Sequence, residues 1–131
     1  MSENLDLVRS IVADWERGDY FDTSEWAHPG LEWVFVDGPA PASGVGFASA
    51  ADVWRSWLDA WQTLAIYPDA YRELDDGRVL ALIQQSAQGK ASGVETRNVG
   101  ASVFTVRDGK ITRLVHYSDR RRALADLGLE E

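Results

Sequence analysis

The stretch from Phe104 to Leu124, "FTVRDGKITRLVHYSDRRRAL", decides how the chain is read. Two runs rich in β-branched and aromatic residues flank Asp108-Gly109, and an Asp-Gly pair between such runs predicts a tight antiparallel hairpin. Both parities of these strands carry apolar groups. Val103 and Thr105 oppose Phe104 and Val106, and Leu114 opposes Val115 and Tyr117. A sheet that is apolar on both faces needs cover on both, so helices on one side and a second subunit on the other is the economical arrangement. The expectation is a homodimer through the outer sheet face. Beyond the hairpin, Asp119 stands before Arg120, Arg121 and Arg122 as an N-cap, and Gly128 is placed to end a short last helix.

Upstream of the hairpin, "RVLALIQQSAQ" and "VETRNVGASVFTVR" read as two more strands, and "AYRELDD" after Pro68 as another. Leu5, Val8, Ile11, Val12 and Trp15 recur at helical spacing, with Asn4 as a cap and Gly18 as a stop. "DTSEWAHPG" reads as a short helical turn from Asp22 halted by Pro29 and Gly30, and "LEWVFV" from Leu31 as a strand ending at Asp37-Gly38. "GPAPASGVG" is loop or weak edge strand, because proline cannot donate to a ladder. From Ser49, a plausible cap, "SAADVWRSWLDAWQTL" places Val53, Trp54, Trp57, Leu58, Trp61 and Leu64 on one broad helical face. Helices at the start and middle followed by consecutive strands argue for an α+β fold, and residues 1–131 fit a single domain.

Composition narrows the function classes. The 131 residues are 45% hydrophobic and 26% charged, with six Trp, as in an ordinary globular protein. A net charge of -8 repels phosphate backbones and anionic membranes, so neither a nucleic-acid partner nor a membrane partner is expected. The N-terminal stretch is acidic from Glu3 and lacks an unbroken apolar core, which leaves a cytoplasmic location as the default. With no cysteine, thiolate chemistry and cysteine-ligated metals are excluded. His28 and His116 are the only imidazoles, no HxH or HExxH spacing occurs, and no glycine-rich phosphate loop is present, so neither metal nor cofactor is expected.

The residues left with chemistry to offer are few. His116 and Asp119 supply a base and an acid of the right types for proton transfer next to a carbonyl, which needs a base within reach and a donor for the enolate oxygen. In a regular strand residues three apart point to opposite faces, so only a bulge or the turn into the helix would bring the two together. Asp119 as a cap and His116 as a hydrogen-bonded core residue are the plainer alternatives. Gln84 and Gln85 interrupt an apolar strand, and whichever faces inward needs partners, from a ligand or from an internal network. Trp54, Trp57 and Trp61 form a core stripe or a cavity wall that Trp15, Trp33 and Tyr20 would complete.

Taken together, the opening helices, "HPGLEW", the Trp-rich helix and the closing "FTVRDGKITRLVHYSDRRRAL" resemble the SnoaL-like branch of the nuclear transport factor 2-like superfamily over nearly the whole chain. The "RDGKI" turn and the Tyr117-Ser118-Asp119 step into the last helix carry the resemblance most specifically, and "GKASGVE" is similar to a turn in bacterial SnoaL-like proteins. The resemblance implies a cone: a curved antiparallel sheet wrapped around the N-terminal and central helices, with a short C-terminal helix, an apolar pocket inside and a common tendency to dimerise. It also implies that Leu114, His116, Ser118 and Gln85 face into the cone, with Asn98 and Ser102 on the same wall as Phe104. The superfamily includes ketosteroid isomerases, polyketide cyclases, epoxide hydrolases, dehydratases and proteins without catalysis. Asp119 aligns with a catalytic aspartate of limonene epoxide hydrolase, yet that enzyme's Arg and second Asp would fall at Ile83 and Gln85, so its triad is absent here. Polyketide cyclases of the SnoaL type use an Asp and a His, types that Asp119 and His116 match. Two functions follow as expectations: a cofactor-independent acid-base enzyme (isomerase, cyclase or dehydratase type) on a small apolar carbonyl compound, or a non-catalytic module for a small apolar or aromatic ligand or for dimeric association.

Overall fold

A computed structural model describes residues 3–18, 25–37, 42–74, 77–89 and 93–129, with the side chains of residues 57–64 outside the description. The first helix, α1, spans Glu3–Glu16 and buries Val8, Ile11, Val12 and Trp15, the stripe expected from their spacing. It ends at Gly18, whose φ of 90° suits a residue without a Cβ and whose N–H bonds Trp15 O at 2.9 Å. Strand β1 runs Ala27–Phe35 and β2 Ala42–Val45; helix α2 is Phe47–Ala60. Then come β3 (Trp61–Glu73), β4 (Arg78–Gly89), β5 (Glu95–Arg107), β6 (Lys110–Tyr117) and the short α3 (Arg120–Leu127).

The six strands make one sheet in the order β2-β1-β6-β5-β4-β3. From β3 to β6 it is an antiparallel meander, and the last hairpin turns at Asp108 and Gly109, both at positive φ, as its two-residue loop requires. The expectation of a wholly antiparallel sheet is corrected at β1, which pairs parallel with β6. A strand's composition does not encode the direction of a partner far along the chain, so the mixed character of this curved α+β sheet is not legible locally.

Three boundaries also differ. The strand expected from Leu31 begins at Ala27 and runs through Pro29, with its register against β6 shifting between Ala27 and Glu32. Such an irregularity is how a strand accommodates a proline. The helical turn expected from Asp22 lies mostly outside the described residues, and Trp26 and Ala27 are turn and strand. The central helix stops at Ala60, so Trp61 and Leu64, expected on its face, belong to β3.

The sheet is apolar on both faces, as its sequence requires. On the inner face α1 packs on β3 and β4, and α2 on β1 and β3. Leu31, Trp33 and Phe35 of β1, Ile111 and Leu114 of β6, Phe104 and Val106 of β5, and Val79, Ala81 and Ile83 of β4 join the helices there in one core. On the outer face Leu80, Ala101, Val103 and Tyr117 meet Ala123 and Leu124 of α3. Part of the cover assigned to a second subunit is therefore supplied by the chain's own last helix.

Candidate functional site

The residues with chemistry collect where β1, β4, β5 and β6 come together, and each is placed by its strand register. Ser102 pairs with His116 across β5 and β6, and Gln85 lies two strands away on β4, opposite Asn98 of β5. Alternation sends Ile83 and Gln85 inward, and Leu114 and His116 with them, while Leu80, Val103, Val115 and Tyr117 point outward.

His116 is 2% exposed and both its ring nitrogens are engaged. Ser102 Oγ lies 2.8 Å from Nδ1, and Gln85 Oε1 lies 3.3 Å from Nε2. An amide oxygen only accepts, so Nε2 carries the proton and Nδ1 accepts from the Ser102 hydroxyl. The ring stands edge-on to Trp54 and Phe35, with centroids at 6.0 and 6.1 Å. Burial among these rings lowers the imidazole pKa from 6.5 to about 4, and the negative charge of Asp37 works weakly against that shift. His116 is thus a neutral hydrogen-bonding group at pH 7.

Gln85 is fitted to this place by a glycine. A Cβ on Gly100 would lie 2.8 Å from Gln85 Nε2 and 2.6 Å from Tyr117 O, so only glycine lets the carboxamide lie against the β5 and β6 backbone. Asn98, expected on the same wall, is exposed and donates through Nδ2 to Ser118 O. Gln85 and Asn98 also line an open trough of about 560 Å³ with Tyr67, Gln84, Arg97 and Val99. Tyr67, Gln84, Arg97 and Val99 have outward parity on their strands, so the trough lies mainly along the outer face, whereas the Gln85 side chain points inward to His116.

Asp119 is not brought to His116. It is exposed and sits as the N-cap of α3 with φ −113° and ψ 109°, its Oδ1 accepting from Arg121 N at 3.0 Å. The structure does not bring the expected His116–Asp119 pair together: no bulge returns Asp119 to the inner face, and its carboxylate caps the helix through the Arg121 amide. The carboxylate that sequence reasoning missed is Asp37, just beyond β1. Its Oδ1 accepts from Ser118 N and its Oδ2 from Asp119 N at 3.2 Å, and its charge is the one His116 feels. In the sequence it shows only as the polar end of a strand.

The aromatic wall is divided. Trp15 stacks at a tilt on Phe104 at 5.6 Å, and Trp33 packs on Phe35 at 5.3 Å, both deep in the inner core. Trp33 Nε1 donates to Ser49 Oγ at 2.7 Å, and its indole crosses Gly44 so closely that a Cβ there would lie 2.6 Å from Cζ2. Tyr20 lies outside the described residues, as do the side chains of Trp57 and Trp61. His28, the other imidazole, is exposed and accepts from Gly30 N at 2.9 Å. Among the described residues no three His, Cys, Asp or Glu side chains gather as a metal site would require, and no helix is long and apolar enough to cross a membrane.

A model of the SnoaL-like domain matches residues 8–114. The chain belongs to the SnoaL-like family. No curated protein matches the sequence significantly. Solved structures agree with the family in fold. An NTF2-like protein from Burkholderia thailandensis superposes on this SnoaL-like chain with a TM-score of 0.81 at 20% identity, over 100% of each chain. TerC, co-crystallised with polyporic acid, gives 0.76 at 22% identity over 96% of this chain and 98% of its own. A candidate polyketide cyclase from Xanthomonas campestris gives 0.76 at 21% over 94% and 95%. The SnoaL-like chain thus shares its fold with these proteins over nearly its whole length.

Proposed function

We propose that this SnoaL-like protein binds a small, largely apolar or aromatic compound carrying a carbonyl or similar acceptor, read by the buried line Gln85–His116–Ser102. The observation that carries the reading is a neutral imidazole hydrogen-bonded at both nitrogens among aromatic rings. Polar side chains cost free energy in such surroundings unless satisfied, and an all-apolar set would fill the space as well. Such a polar line set among aromatic rings offers a ligand matched partners at one end and apolar contacts elsewhere. The structural neighbour TerC, crystallised with polyporic acid, supports a small-molecule ligand.

One observation favours a second reading, acid-base catalysis of isomerase, cyclase or dehydratase type without a cofactor. The charge of Asp37 raises the proton affinity of His116 against its burial, as a base would need. In that reading Asp37 replaces Asp119 as the partner carboxylate.

Titration of intrinsic Trp fluorescence with a panel of aromatic and carbonyl compounds tests the binding reading. Gln85→Leu should weaken the best ligand about tenfold or more, the equivalent of one buried hydrogen bond, while Asp119→Asn leaves it unchanged. Equal affinity in wild type, Gln85→Leu and His116→Phe would overturn it. Solvent-deuterium exchange into the bound carbonyl compound, lost in His116→Gln, would decide for catalysis. For the assembly, we infer a homodimer in which a second copy covers the outer strip around Tyr67 and Val99 that α3 leaves open.

A further inference from the structure

We propose that Arg120 and Asp69 are a positioning pair that fixes both hydrogen-bond partners of His116, an inference that rests on the buried line being the binding end. The need for such a pair begins at Pro68. It pairs with Ile83 across β3 and β4, yet a proline has no N–H to give to Ile83 O, and the register slips between Pro68 and Ala70, which leaves Asp69 at the irregularity.

Arg120, the first residue of α3, takes over. Its Nη2 donates to Ile83 O at 2.9 Å and to Asp69 Oδ2 at 2.7 Å, and its Nε donates to Gly100 O at 3.3 Å. Gln84 Nε2 completes the set on Asp69 Oδ1 at 2.7 Å. One guanidinium therefore ties α3 to β3, β4 and β5. The two side chains are 18% and 30% exposed, so the guanidinium is largely covered while the carboxylate stays in contact with solvent. The hydrogen bond from Arg120, then that from Gln84, holds the Asp69 carboxyl below its usual range.

The two carbonyls that Arg120 grips are the supports of the site. Ile83 is two residues before Gln85 on β4, and Gly100 is two residues before Ser102 on β5 and lies beneath the Gln85 amide. Holding Ile83 O and Gly100 O fixes the strand segments that present Gln85 to Nε2 and Ser102 to Nδ1. Arg121 and Arg122, although adjacent in sequence, are more exposed than Arg120.

The test is the nitrogen NMR of His116 in the ligand-free protein, comparing wild type with Arg120→Met. The expected result is a folded variant whose ring-nitrogen shifts move and whose protonation midpoint rises from about 4 toward 6.5, with partial return in Arg120→Lys. A folded Arg120→Met with unmoved ring shifts and midpoint would overturn the proposal, because a merely structural clamp lowers the melting temperature without touching the imidazole. Should Arg120→Met not fold, Asp69→Asn applies the same readout, with moved shifts supporting the pair and unmoved shifts rejecting it. No ligand enters this measurement. Moved shifts without any ligand found would sink the binding reading and leave the positioning pair standing.

Discussion

His116 has its nitrogens occupied and its ring dry, and the consequence is a pH dependence of stability whose sign is fixed. Its folded pKa, about 4, lies below the ordinary 6.5, so between these values the unfolded chain binds a proton that the folded chain refuses. The stability of the neutral buried ring is complete above pH 6.5 and is lost as the pH falls toward 4, by roughly 3 kcal/mol at the limit. Urea unfolding of wild type and His116→Gln at about pH 7 and about pH 5 checks this, since the carboxylates titrate in both proteins and cancel in the difference. Wild type should lose more stability than the variant; equal losses would refute the buried neutral state. The same residue is half legible in the sequence. Parity and resemblance place it inside, and the cap reading of Asp119 rests on local chemistry that the structure repeats. Asp37 escapes because what gives it meaning, the amides of Ser118 and Asp119, sits on a different strand end far along the chain.

Ser49 shows how an element can be right while its boundary is wrong. The sequence suggests it as the cap of α2, but the helix starts at Phe47, and the Ser49 hydroxyl lies 2.9 Å from both Gly46 O and Val45 O while accepting Trp33 Nε1. The residue type is the same for a cap and for a back-bonded hydroxyl, so sequence alone does not separate them. In the folded chain Ser49 instead satisfies an indole N–H on a residue only 3% exposed. Ser49→Ala should cost about 1–3 kcal/mol, the penalty of leaving that donor unpaired, and in a Trp33→Phe background the same change should cost a few tenths. Thermal unfolding of the two single variants and the double variant measures the coupling; additive effects would remove Ser49 from this role. The far end of α2 is illegible for another reason. Trp61 and Leu64 fit a helical face and a buried strand equally, and no glycine or proline marks the change at Ala60.

At the scale of the molecule, two-sided apolarity is legible and its solution only partly so. The inner face finds its helices, whereas the outer face finds α3 over β5 and β6, leaving Tyr67 and Val99 at 50% and 48% exposed beside Gln84. These residues stand in one cross-strand row, Tyr67 opposite Gln84 and Gln84 opposite Val99, along the open trough. A row in which Tyr67 and Val99 flank a polar amide suits an isologous contact, in which the same row on two copies meets across a twofold axis. The net charge of -8 on each copy opposes that contact, and salt screens the opposition. Light scattering after gel filtration should therefore find twice the chain mass, with the dimer strengthening as salt rises. Val99→Asp places a charge within the contact on each copy and should give monomers at every salt concentration, with the melting curve of the monomer intact because Val99 packs in neither core. A wild-type monomer at high salt, or a Val99→Asp dimer, would show that α3 alone is the cover this sheet face requires.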